Sequence, residues 1–232
     1  MKKSLLALAV LSTFAGIASA QTSLSIYGLV DAGIVSERGG PAGTVTKLSS
    51  GVQSGTRLGF RGTEDLGSGL AAKFVLETGI AADTGGFNQG GLAFGRQAYV
   101  GLTGGWGAVT LGRQYTPHYL AIVDVDPFGA GLAGNATNII PTTLRMNNTI
   151  KYTSPAYSGV IGELAYGFGE VPDNNTANRQ IGAAIGYTNG PMLVKLAYLS
   201  TDDPTGSDRS KNTLLVGKWD FGIATGSLGF GT

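Results

Sequence analysis

Apolar and polar side chains alternate with a period of two residues along most of the chain. In the segment TRLGFRGTE, residues 56–64, Arg57 and Arg61 share one face of an extended strand, and Leu58 and Phe60 share the other. A period of two places successive side chains on opposite faces of a sheet. No stretch with a helical period accompanies these strands to cover their apolar faces. The pattern therefore predicts a large sheet whose apolar face packs on another sheet or contacts lipid.

Eleven strands are predicted from this alternation and from the turn residues between them. The connections alternate in length: TGGWGA, SPAYSG, TNGP and DFGIA are short turns, whereas the intervening connections are longer and polar. Such alternation describes an antiparallel up-and-down meander, the arrangement of outer-membrane barrels. The predicted strands cover residues 24–35, 54–63, 70–80, 92–102, 108–114, 146–153, 160–168, 179–187, 192–199, 213–221 and 224–230.

A soluble β-sandwich would show the same alternation, but three features favour a membrane barrel. Strands of soluble proteins are usually about 5 to 6 residues long, whereas several here approach the roughly 9 to 11 residues that a tilted span of a bilayer needs. The charged face is rich in glycine and carries Arg or Lys in many strands, as a water-filled lumen requires. The exported chain is also too long for one small sandwich. The sequence thus predicts an all-β, transmembrane, antiparallel β-barrel.

The first twenty residues have the three-part pattern of a secretory signal peptide. Lys2 and Lys3 provide a positive start, residues 5–17 are largely apolar, and Ala18-Ser19-Ala20 offers small residues for cleavage. A transmembrane anchor is the alternative, but the apolar run is shorter than the roughly 20 residues of a spanning helix. We predict a signal peptide at residues 1–20 and a mature barrel domain at residues 21–232.

Composition narrows the chemistry further. The chain has 39 glycines and no cysteine, and removal of Lys2 and Lys3 leaves its charge nearly balanced, which argues against nucleic-acid binding. The single histidine, His118, has no cysteine to join it in a metal cluster, and no GxSxG nucleophile motif is present. A barrel hydrolase using His118 with an aspartate is a remote alternative. We predict a protein that is not an enzyme and that uses no cofactor.

Several long segments indicate a protein family as well as a fold class. QTSLSIYGLVDAGI, SGVQSGTRLGFRGTEDLGSGLAAKFVLETG, FGRQAYVGLTGGWGAVTLGRQY, KYTSP and YTNGP resemble the general diffusion porins of Gram-negative bacteria, most closely the branch typical of beta-proteobacteria. The resemblance implies a homotrimeric barrel of about 16 strands in outer-membrane lipid. It also implies a third loop that folds into the lumen, and passive diffusion of small hydrophilic solutes and ions.

The long connection at residues 116–144 matches the constriction loop of that family. A connection of this length is usually functional or disordered. By resemblance, Asp124 and Asp126 would lie on the loop side of the constriction, and Pro127-Phe128 would anchor the loop. The arginine cluster of the family corresponds to Arg57 in TRLGF, Arg96 in FGRQAY and Arg145 in LRMNN.

Arginine keeps its charge at any physiological pH. Several arginines facing carboxylates across a narrow wet gap create a transverse field that sorts solutes by charge and size. The wall is net basic, so we predict a mild preference for anions. The further charges that alternation places in the lumen are Arg61, Lys73, Glu77, Lys151, Lys195 and Lys218.

Some orientations and functions stay open from the sequence. Arg57 and Arg96 could instead form ordinary ion pairs with wall acids. Alternation puts Arg113 outward although it adjoins the long loop, and an inward Arg96 leaves Gln97 and Tyr99 outward unless a bulge intervenes. A solute-selective channel, for sugars or carboxylates, is an alternative to general diffusion.

The predicted strands stop at an eleventh, residues 224–230, although single-chain bacterial barrels have even strand numbers. The resemblance implies a longer chain, so we expect a porin truncated at its C-terminus. Its open edge would leave unpaired backbone groups in lipid. Such a chain could close as a smaller barrel or be a fragment without function.

Overall fold

The computed structural model describes residues 23–41, 43–131 and 134–232. The predicted signal peptide, residues 1–20, lies outside this part. No helix in these ranges is both long and apolar enough to cross a membrane.

An eleven-stranded antiparallel sheet makes up most of the molecule, and each strand pairs with its neighbours in chain order. The predicted up-and-down meander is therefore confirmed. A separate hairpin of β2 (Ala32–Gly40) and β3 (Gly43–Ser50) interrupts the series after the first strand. The sheet contains β1 (Ser23–Leu29), β4 (Arg57–Gly67), β5 (Leu70–Gly79), β6 (Gln97–Gly104), β7 (Gly107–Tyr115), β8 (Arg145–Thr153), β9 (Val160–Gly167), β10 (Gln180–Asn189), β11 (Met192–Asp202), β12 (Arg209–Asp220) and β13 (Thr225–Gly231). Its two edges in the described residues are β1 and β13.

The prediction of one continuous strand at residues 24–35 is wrong, because the structure has two strands there, β1 and β2. The break falls at Asp31, whose carboxylate accepts hydrogen bonds from the backbone N–H groups of Val52 (3.2 Å), Gln53 (2.8 Å) and Ser54 (2.6 Å). These bonds tie the start of the β2–β3 hairpin to its return point. The chain thus leaves the sheet after β1 and re-enters it at β4, and β3 is a strand that the sequence pattern missed.

The predicted faces of the main sheet hold along most of its width. Large apolar side chains such as Leu196 and Leu164, the latter 62% exposed, point outward, where alternation places them. On the inner face, Arg61 of β4, Val75 of β5 and Tyr99 of β6 lie in one row of register partners. The apolar outer face is the lipid-facing surface expected of a membrane barrel.

The long connection contains a helix as its main element. A four-residue turn, α1 (Asn88–Gly91), in which Gln89 and Gly90 have positive φ, precedes it in the chain. Helix α2 (Pro117–Val125) opens the long connection, and a 3₁₀ turn follows at Ala136–Asn138. Thr116 caps α2, because its hydroxyl accepts a hydrogen bond from the N–H of Tyr119 at 3.0 Å, and proline fits the first helical turn.

Helix α2 is seated against the inner face of β10 to β13. Its side chains Ala121, Ile122 and Val125 form the principal buried apolar cluster of the described residues. The sheet contributes Ala184, Ala197, Leu214 and Val216 to this cluster. Gly182 lets Pro117 approach the wall, since a Cβ there would lie 2.9 Å from the proline Cδ. This half of the inner face therefore carries an apolar patch that α2 covers.

Candidate functional site

A cavity of about 800 Å³ lies between the inner face of β4 to β6 and the long connection. The three arginines predicted for the constriction, Arg57, Arg96 and Arg145, all line it. Arg61, predicted as a general lumen charge, lines it as well. The fold thus brings together four guanidinium groups from β4, β8 and the segment just before β6.

Glu77 of β5 supplies the one carboxylate among the lining side chains. Its Oε1 lies 2.7 Å from Nε of Arg96, and its Oε2 accepts a hydrogen bond of 2.9 Å from the hydroxyl of Tyr27. Gly59 leaves room for the Tyr27 ring, which a Cβ at that position would strike. Glu77 is 4% exposed, so it holds Arg96 in place from below the surface of the cavity.

Tyr115 joins two of the arginines at the end of β7. Its hydroxyl oxygen accepts hydrogen bonds from Nη2 of Arg96 (2.8 Å) and Nη2 of Arg145 (3.0 Å). The guanidinium of Arg145 also lies over the Tyr115 ring at 4.6 Å, and the ring of Tyr119 from α2 stacks on Tyr115 at 5.1 Å. Neutral acceptors and aromatic faces therefore keep these like charges close together.

Arg57 and Arg61 have no carboxylate partner within the described residues. Arg57 donates to the carbonyl of Gly55 at 3.1 Å and approaches Ser54 Oγ at 3.4 Å. Arg61 lies 5.1 Å from the centre of the Tyr27 ring. The sequence left open whether Arg57 and Arg96 form ordinary ion pairs with acids of the wall. Arg96 does, with Glu77. Arg57 keeps an uncompensated charge in the cavity.

Asp124 and Asp126 are not among the side chains that line the cavity. Asp124 Oδ2 lies 2.6 Å from Lys195 Nζ, and the Asp124 carbonyl accepts a 2.7 Å bond from Lys218 Nζ. Asp126 accepts backbone hydrogen bonds from Phe128 (2.9 Å), Ala130 (3.0 Å) and Ala136 (3.1 Å). Both aspartates hold the loop in shape or on the wall, and the structure does not bring them against the arginines.

Pro127 and Phe128 lie on the exposed side of the loop. The Phe128 ring is 57% exposed and packs on Gly134. Its carbonyl accepts a 2.9 Å bond from Gln53 Nε2. The contact with the β3–β4 connection is therefore made by the main chain at Phe128. Of the remaining predicted lumen charges, Lys151 pairs with Glu163 at 2.9 Å, and Lys73 lies on the same face of β5 as Glu77.

The orientation of Gln97 and Tyr99, which the sequence left open, is inward, because both line the cavity. Strand β6 begins at Gln97, so Arg96 precedes it and is not bound by its alternation. The Arg96 N–H instead donates to the Glu77 carbonyl at 3.1 Å. Tyr99 and Tyr115 are therefore residues of the cavity wall that the sequence pattern missed.

Arg113 lies at a break in alternation. The pairing of β7 with β8 shifts register between Gly112 and Gln114. Its Nε donates to the carbonyl of Gly95 at 2.7 Å, and its Nη1 bonds the side-chain oxygen of Asn147. Arg113 therefore braces the segment before β6, next to the arginine cluster, without lining the cavity.

His118 is buried at the start of α2, with 1% of its surface exposed. Its Nδ1 lies 2.9 Å from the hydroxyl of Thr142, and burial lowers the pKa of the imidazole below its usual value. Across residues 23–41, 43–131 and 134–232, no group of three or more His, Asp or Glu side chains is placed to hold a metal ion. Among the described residues, the imidazole of His118 therefore bonds the hydroxyl of Thr142 and forms no ion pair or hydrogen bond with a carboxylate.

The profile of the Gram-negative porins matches residues 7–232. The chain belongs to this family. It is 37% identical to an outer membrane porin protein of Bordetella pertussis (strain Tohama I) over 85% of this porin chain and 59% of that relative. It is 36% identical to outer membrane porin protein 32 of Delftia acidovorans over 97% of this chain and 67% of the relative.

Solved structures agree with the sequence relatives. An anion-selective porin from Comamonas acidovorans superposes with a TM-score of 0.81 at 29% identity, covering 91% of this porin and 68% of that chain. The porin chain spans about three fifths to two thirds of the length of these proteins. Its fold is that of a porin barrel and its location the outer membrane. The relatives are porins and not enzymes, in agreement with the sequence expectation.

Proposed function

We propose that this chain forms the wall and constriction of an outer-membrane channel through which small hydrophilic solutes and ions diffuse, with a preference for anions. Four arginines and one glutamate line the central cavity, and this imbalance of charge carries the proposal. Guanidinium groups stay protonated. Anions entering a narrow wet gap beside them are stabilised, while cations are repelled.

The arrangement of the arginines supports a fixed field. Arg96 and Arg145 are held by Glu77, Tyr115 and a 2.8 Å bond from Arg145 Nε to the Arg96 carbonyl. Arg57 and Arg61 point charge into the cavity without a carboxylate partner among the described residues. Asp124 and Asp126 act in this proposal from the loop side, at longer range, and reduce the basic field without cancelling it.

The relatives support the proposed anion preference and also a proposed oligomeric state. The structurally similar porin from Comamonas acidovorans is described as anion-selective. By family resemblance we also propose that this chain functions as a homotrimer, with residues 21–232 as its barrel domain, residues 1–20 as a signal peptide and residues 116–144 as its constriction loop. Cross-linking in native outer membranes, followed by gel electrophoresis without heating, tests the trimer; migration as a monomer alone would contradict it.

Reversal potentials across a potassium chloride gradient test the anion preference in planar bilayers. We expect a chloride-selective potential that shifts toward cations in Arg61→Gln. Arg38→Gln is the matched control, because Arg38 lies in the exposed β2–β3 hairpin and not in the cavity. Clear cation selectivity of the unmodified chain, or equal shifts in both variants, would overturn the assignment.

A further inference from the structure

A second cavity, of about 330 Å³, lies beside the arginine cluster between the ends of β8, β9 and β10. Arg145 lines both cavities, so the second one adjoins the proposed path of solutes. Its volume is at the lower end of the range of small-molecule sites. The lining differs from that of the first cavity, because Arg145 is its one arginine and four carboxamides accompany it. The lining residues that distinguish it are Asn147, Asn148, Phe168, Asn178 and Gln180.

Backbone geometry holds two of these asparagines at the rim. Asn148 and Asn178 adopt left-handed conformations with φ of 50° and 57°. Asn148 lies in a break of the β7–β8 pairing, where its carbonyl accepts the N–H of Phe168 at 3.0 Å, and the N–H of Asn178 donates to the Asp203 carbonyl at 2.9 Å. Asparagine tolerates this conformation better than most residues. The carboxamides thus project from fixed points of the wall.

No free carboxylate faces this cavity. Asp202 contributes to its lining, but Asp202 Oδ2 lies 2.8 Å from Arg179 Nη2 and accepts a 3.2 Å bond from Arg209 Nη2. Its Oδ1 is bonded to Arg209 Nε. The charge of Asp202 is therefore compensated by two arginines that do not line the cavity, and Arg145 is the other charged side chain of the lining.

The carboxamides are available to a ligand. The side chains of Asn148, Asn178 and Gln180 make no hydrogen bond to other described residues. Each carboxamide offers two donors and an acceptor, which matches neighbouring hydroxyl groups that both donate and accept. Phe168 also lines this pocket, and its ring lies edge-on to the ring of Tyr166 at 4.9 Å.

We propose that this carboxamide pocket binds a neutral polyhydroxylated solute of monosaccharide size, separately from the anions that pass the arginines. The binding itself rests on the pocket alone, whereas its role in uptake rests on the proposed channel. Anions would favour the first cavity, since four guanidinium groups line it, and a neutral polyol gains nothing there from charge.

Saturation-transfer NMR with methyl α-glucopyranoside, on the full chain folded in detergent micelles, tests the pocket. We expect saturable binding with a dissociation constant on the order of millimolar. Gln180→Leu should weaken binding roughly tenfold, since it removes the hydrogen bonds of one carboxamide. Gln97→Leu is the matched control, because Gln97 is a carboxamide in the first cavity, and it should leave the affinity unchanged.

The outcomes separate this inference from the proposed function. Equal affinities in the Gln180→Leu and Gln97→Leu variants, absence of binding, or displacement of the glycoside by chloride would overturn the carboxamide pocket. Selective conduction of anions would survive any of those results. Asn178→Ser provides a second test if Gln180→Leu does not fold, and it should weaken binding in the same direction.

Discussion

The inner wall of this porin has two halves that differ in what covers them. On β4 to β6, arginines and tyrosines surround an open cavity. On β10 to β13, small and branched apolar side chains face inward, and helix α2 lies on them. The inner face of this wall is thus polar around the cavity and mainly apolar where it receives the loop. The seat of α2 positions Tyr119, which stacks on Tyr115 between the arginines.

A charge placed in the buried apolar contact between α2 and the sheet should have the largest effect on stability and conductance. Ile122 is 1% exposed, so Ile122→Asp would bury a carboxylate without a partner. We expect a loss of about 3 to 5 kcal/mol in unfolding free energy, together with a larger and noisier single-channel conductance as the loop leaves the wall. Urea unfolding in detergent and bilayer recordings measure both.

Ile139→Asp is the control for that substitution. Ile139 belongs to the same loop but is 84% exposed, so a charge there stays solvated. A similar loss of stability in both variants would show that the apolar seat does not hold the loop.

Removing the carboxylate from the open half should have the next largest effect. Glu77→Gln leaves Arg96 without its ion pair of 2.7 Å and should cost about 2 kcal/mol. It should also strengthen the anion preference, because the cavity loses its one negative side chain. Reversal potentials and urea unfolding report the two effects.

Glu37→Gln serves as the matched variant, since Glu37 forms an exposed pair of 2.6 Å with Lys47 in the hairpin. An exposed pair contributes at most about 1 kcal/mol, and neither Glu37 nor Lys47 lines the cavity. An unchanged selectivity in Glu77→Gln would refute the role of Glu77.

The ion pair that ties the end of α2 to β11 in the covered half should have a smaller effect. Lys195→Met removes the 2.6 Å ion pair with Asp124, whose side chain is partly exposed. We expect a loss of at most about 1 kcal/mol, because water screens the freed carboxylate. Current noise should rise as the end of α2 loosens. Lys211→Met, at an exposed position of β12, should change neither quantity.

The pH dependence should be the smallest effect. Burial lowers the pKa of His118 in the folded loop. The unfolded chain therefore binds more protons, so the contribution of His118 to stability is present above its ordinary pKa of about 6.5 and declines as pH falls below it. Unfolding at about pH 7.5 and about pH 5.5 should show a difference that His118→Gln reduces. An identical pH response in the variant would contradict this.

Much of the wall could be predicted from alternation alone. Arg57, Arg61 and Glu77 lie in regular strands, where a period of two decides the face. Arg96 and Arg145 lie at or beyond strand ends, and they came from family resemblance. The inward face of Tyr99 was missed because β6 starts one residue after Arg96, which shifts the alternation relative to that arginine.

The sequence identified which residues form the long loop, but not which part of the wall the loop packs against. Asp124 and Asp126 were expected to face the arginines, whereas Lys195, Lys218 and backbone N–H groups engage them. A signal for the seat was present in residues 214–216, Leu-Leu-Val, where both faces of a strand are apolar. An inward apolar face in a wet lumen indicates that something covers it.

The sequence by itself determined the meander, its lipid-facing and lumen-facing sides, and its membership of a porin family. Those properties follow from local periodicity and turn residues, which act over a few neighbouring positions. Only the tertiary structure decided that α2 lies on β10 to β13, that Tyr115 bridges Arg96 and Arg145, and that the carboxamides gather beside them. These contacts join residues far apart in the chain, and the packing of the loop against one half of the wall selects them.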